Sequence, residues 1–133
     1  VTKMIKTASL ENSKRLYELA PEWNDTHFTW KRLVTHNTLE WKDWFLADWN
    51  NGVWDGLGEQ SHPAPDLEWL LDKLPKLLPD ESYLVLWHDG LVWVAQYEDD
   101  TDVMPEHSKY ADTPSDAACL LLIKLIEQGV VKV

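Results

Sequence analysis

The chain has 133 residues, 44% of them hydrophobic, which suits one domain with a sizeable core. Twelve Lys and Arg against 23 Asp and Glu leave a net charge of −11, a field that repels free nucleic acid and anionic membranes and attracts cations and basic proteins. No apolar run reaches the length of about eighteen residues that a membrane helix needs, "VTKMIKTASL" lacks the apolar centre of a signal peptide, and the single cysteine, Cys119, permits no internal disulfide; a cytoplasmic protein is expected.

In chain order, "SLENSKRLYELA" reads as a helix from Ser9 to Ala20. Ser9 can cap it, Glu11 suits the positive end of the dipole, and Pro21 stops it. "THFTWKRLV" alternates Phe28 and Trp30 with polar neighbours, the period of a half-buried strand. "THNT" is a turn candidate. Leu39 to Trp49 is expected to be a strand that pairs back on the first, with a short helix as the alternative. "NNGVWDGLG" is irregular, and "HPAP" marks a boundary.

Asp66 can cap a second helix, where Leu67, Leu70, Leu71 and Leu74 follow the i, i+3, i+4, i+7 rule up to Pro75. "SYLVLWHDGLVWVAQYE" is a hairpin: Tyr83 to His88, a two-residue Asp89-Gly90 turn, then Leu91 to Glu98. Both strands are apolar on both faces, so helices are expected on either side of them. "DDTDVMPEHSKYAD" reads as a polar connection. The last helix opens with Thr113 as cap, Pro114 at the first helical position and Asp116 where a capping box has its acid; Gly129 ends it. The expected fold is α+β, an antiparallel sheet of two hairpins packed between helices in the order α-β-β-α-β-β-α. It forms a single domain over residues 1–133, with disorder admitted for residues 1–8.

The segments "PAPDLEWLLDKLP", "YLVLWHDGLVWVAQY" and "YADTPSDAACLLLIKLIEQG" share three features: a leucine-periodic helix, a Trp-bearing hairpin, and a Thr-Pro opening onto a helix that begins with Ala117, Ala118 and Cys119. In these, residues 63–129 resemble the phage ABA sandwich domain, small proteins carried by bacteriophages and prophages with a β-sheet held between helices. The resemblance implies origin, and with it the cytoplasm of a bacterial host, and fold. It brings no catalytic residues.

Chemistry-bearing motifs are absent from the sequence. His27, His36, His62, His88 and His107 show no ligand spacing. Glu98, Asp99, Asp100 and Asp102 crowd one loop, but the glycine and distal glutamate of a calcium loop are missing. They read as a solvated acidic patch able to meet a basic partner. Cys119 lies near a helix N-terminus, which lowers a thiol pKa, yet reads as a small core hydrophobe. There is no nucleophile elbow, phosphate loop or basic-aromatic patch.

Nine tryptophans remain to be placed. Trp30, Trp87 and Trp93 lie in strands and read as core. Trp69 stands off the leucine stripe. Trp41, Trp44, Trp49 and Trp54 fall within seventeen residues, more than so small a core can absorb. The candidate interaction surface is therefore Trp41, Trp44, Trp49, Trp54 and Trp69, with at least one of Trp44, Trp49 and Trp54 substantially exposed. The expected function is a non-enzymatic protein-interaction module without a cofactor, binding a second copy as a homodimer or a basic protein, and not nucleic acid or membrane. The alternative is an inhibitor that mimics DNA charge or neutralises a toxin.

Overall fold

The computed structural model describes residues 7–34, 40–41, 43–48, 58–101 and 105–133. Its elements run α1 (Leu10–Leu19), β1 (Phe28–Val34), β2 (Phe45–Asp48), β3 (Gly58–Ala64), α2 (Leu67–Lys73), β4 (Tyr83–His88), β5 (Trp93–Glu98), β6 (Ser108–Ala111) and α3 (Pro114–Glu127). The fold is α+β, with antiparallel strands. Among the described residues the strands form two sheets, ordered β2-β1-β3 and β4-β5-β6.

Local chemistry starts each helix. The Ser9 hydroxyl accepts from the Asn12 N–H, the Asp66 carboxylate from the Trp69 N–H at 3.0 Å, and the Thr113 hydroxyl from the Asp116 N–H at 3.1 Å. Each satisfies a donor that the first helical turn leaves without a partner. α3 ends in a Schellman motif: Val130 N–H donates to Leu125 C=O, Gly129 N–H to Ile126 C=O, and Gly129 has φ +75°.

Asp116 departs from the capping box. Its carboxylate accepts from the Ser9 N–H at 2.7 Å and the Asn12 side-chain amide at 3.0 Å. The acid of one helix start thus serves the start of another helix, 107 residues away in sequence. The small residues Ala117, Ala118 and Cys119 are fully buried and let the helices approach closely there.

The core is built around α3, which packs against the β4–β6 sheet on one side and against α1 and α2 on the other. Leu16, Leu70, Leu74, Leu78, Ala95, Tyr97 and the inner faces of α3 form one buried cluster. Burying each large aliphatic contributes about 1.5–3 kcal/mol. α1 also covers one face of the first sheet, and the Trp30 indole N–H donates to Ala8 C=O at 3.2 Å. Thr7 and Ala8 are buried and therefore fixed; the remainder of the stretch admitted as disordered, residues 1–6, lies outside the described residues.

Three features differ from the sequence expectation. First, each half holds a third strand. "HPAP" does mark a boundary, since β3 ends at Ala64 and Asp66 caps α2, but its His62, Pro63 and Ala64 close a strand that was not expected, an edge strand where a proline without an N–H is tolerated. The "polar connection" contains β6, which pairs with β5 through Trp93↔Ala111 to Gln96↔Ser108. Second, the hairpin loop has four residues. His88 pairs with Trp93, and the Asp89 carboxylate accepts from the Leu91 and Val92 N–H groups, which draws both out of the strand. The slip is two residues, so every side chain keeps its expected face. Third, α3 covers one face of the hairpin, while the opposite face carries exposed aromatic side chains.

Candidate interaction surface

The tryptophans chosen from sequence divide between two places. Trp41 is 42% exposed and sits beside the end of β1, bridged to Val34. Trp44 is half-buried, immediately before β2. Arg32 holds them together, its guanidinium 4.9 Å from the Trp41 ring and 5.0 Å from the Trp44 ring. Lys14 of α1 stands 5.0 Å from Trp44, and His62 of β3 lies against it at 5.6 Å. Such pairs are favourable because the ring face is negative. Trp49 and Trp54 lie outside the described residues, as does the "THNT" turn.

Trp69 belongs elsewhere. Its indole N–H donates to Asp25 at 3.1 Å, its ring meets Trp23 edge-on at 6.0 Å, and Lys73 stands over both rings. It borders an open cleft of about 1440 Å³ between α2 and the first sheet, lined by polar groups such as Thr29, Lys31, Ser61 and Asp72.

Of the acidic patch, Glu98, Asp99 and Asp100 are described and Asp102 is not. Asp99 accepts from the N–H and hydroxyl of Thr101, which hold its carboxyl below the usual range. Asp80 is held down in the same way by Ser82. With Glu98 and Glu106 these two line a cleft of about 470 Å³. Among the described residues no three His, Cys, Asp or Glu side chains converge as a metal site. Cys119 is fully buried, its Sγ 3.7 Å from Asn12 C=O, and burial, with the Asp116 charge beside it, pushes its thiol far up against the opposing charge of Arg15.

A further surface, not chosen from sequence, lies on the second sheet. On β4–β6, partners in register share a face. Leu84, Leu86, Trp93, Ala95, Tyr97 and Ala111 face α3. The other face carries Tyr83 opposite Glu98, Val85 opposite Gln96 and Ser108, and a row Trp87–Val94–Tyr110 across all three strands. Tyr83 is 42% exposed, Trp87 42% and Tyr110 71%; Leu77, bridged to Tyr83, is 63% exposed. Trp87 is thus not core as expected. A strand apolar on both faces signals burial on both, and here one of the faces is open. The signal available in the sequence was Tyr110, three residues before the Thr113 cap, which belongs to a strand only if β6 is recognised.

Comparisons of the chain with protein-family models, with curated proteins and with solved structures find no match.

Proposed function

We propose that this protein is a non-enzymatic protein-interaction module whose contact surface is the open face of the β4–β6 sheet. One observation carries the reading: Tyr83, Trp87 and Tyr110 stand exposed on a regular sheet face that, among the described residues, no helix covers. Contiguous exposed apolar surface marks contact sites, and Trp and Tyr are the residues that most often dominate contact energy. Trp41, Trp44 and Trp69 are already engaged by cations of the chain itself, so they serve this role less well than Trp87 and Tyr110. The resemblance of residues 63–129 to the phage ABA sandwich domain supports a phage or prophage origin, and the proposal includes it.

The test is site-specific photo-crosslinking in cells that make the protein. A benzoylphenylalanine replaces Tyr110 in one variant and Glu68, exposed on α2, in a control. Position 110 is expected to yield a discrete adduct with a protein, a second copy included, and position 68 none. No adduct from position 110, or equal adducts from both, would overturn the reading.

A further inference from the structure

We infer that the open face of the β4–β6 sheet receives a cationic segment of its partner, with arginine or lysine side chains laid over Trp87 and Tyr110. The inference rests on that face being a contact surface. It is carried by how the chain treats its other aromatic groups. Arg32 and Lys14 occupy the faces of Trp41 and Trp44, and Lys73 those of Trp23 and Trp69, all within 4.9–5.2 Å of the ring centres. Among the described residues no cation stands over Tyr83, Trp87 or Tyr110. These rings keep their negative faces available.

Charge selects the occupant. Residues 77–112, which form the sheet and its connections, contain nine carboxylates and one cation, Lys109. Lys109 pairs with the buried Ala95 and so lies on the helix side of the sheet, away from the open face. Glu98 lies on the open face opposite Tyr83, and Asp89 and Asp112 adjoin the other end of the strands. A second copy would set one net charge of −11 against another, which opposes self-association. An acidic peptide or a nucleic acid meets the same repulsion. A basic segment is attracted from a distance and finds aromatic faces on arrival. The Tyr83 and Trp87 positions are four residues apart on one strand, about 13 Å, so an extended segment of about five residues can reach both ends.

The experiment uses the whole purified protein and nitrogen-15 NMR. The probe is a synthetic ten-residue peptide alternating arginine and serine; the comparison peptide has glutamate for arginine. The arginine peptide is expected to shift the Trp87 indole and the Tyr83, Glu98 and Tyr110 amides, with affinity falling as salt rises. The glutamate peptide is expected to shift none of them. Tyr110→Ser, at the most exposed of the three aromatics, and Trp87→Ala should each weaken binding about tenfold. Glu68→Gln, on α2, should leave it unchanged. Shifts spread evenly over the acidic surface, or affinity unaffected by Tyr110→Ser, would overturn the inference. So would sedimentation showing a dimer that Tyr110→Ser abolishes. In each of those cases a crosslink from position 110 would still uphold the contact surface; loss of both would remove the reading itself.

Discussion

His62 shows how a single side chain acquires a property that its sequence neighbours do not foretell. It lies on β3 between Tyr17 of α1 and Trp44, with its Nδ1 buried and unpartnered among the described residues. Burial holds its pKa below the ordinary value of 6.5, with help from Lys14 and against Glu18. The unfolded chain therefore takes up this proton at a higher pH than the folded chain. Stability from neutral His62 is complete above 6.5 and is lost as pH falls from there through the folded pKa. Denaturant midpoints of the wild type and His62→Asn, measured from pH 7.5 down to pH 5, are expected to converge or cross as pH falls. A constant difference across that range would contradict the assignment.

At the scale of elements, the ends of helices and the partners of strands behave differently. Each helix carries its boundaries in its own residues: Ser9, Asp66 and Thr113 cap as their types require, and Gly129 terminates α3. Gly129 has φ +75°, and a Cβ added there meets no atom within 4 Å. Gly129→Ala therefore carries backbone strain without a clash, and a loss of about 1 kcal/mol in chemical denaturation is expected. No measurable change would mean that the helix end frays and the motif contributes nothing. Strands lack such local markers. β6 has four residues, and β3 contains a proline; both exist because β5 and β1 present them with unpaired edges. The open face follows from this, since β6 supplies Tyr110 and completes the Trp87–Val94–Tyr110 row.

For the whole molecule, the joint between its ends is Asp116. The Ser9 N–H and the Asn12 amide both donate to this one carboxylate, which fastens the first helix to the last. Asp116→Ala removes two charge-assisted hydrogen bonds at a part-buried site and is expected to cost about 2–4 kcal/mol, with Asp116→Asn losing less because it still accepts. Equilibrium urea unfolding measures both. Equal stability of the wild type and Asp116→Ala would show that packing of the α1–α3 crossing alone holds the ends together.

By itself the sequence determined the α+β class, all three helices with their caps, the hairpin strands and the acidic surface, because caps, apolar periods and charge are local or summed quantities. It also pointed to Cys119 as core. Only the tertiary structure decided which aromatics are exposed. Exposure depends on what packs against a face, and Trp87 and Trp93 look alike along the chain, although one faces solvent and the other faces α3. The seventeen-residue stretch from Glu40 to Gly56 drew attention by composition, yet its described tryptophans, Trp41 and Trp44, are held by the chain's own Arg32. The face proposed for a partner lies on the other sheet: its β4–β5 hairpin is legible along the chain, but only the pairing of β6 with β5 brings Tyr110 into the row beside Trp87.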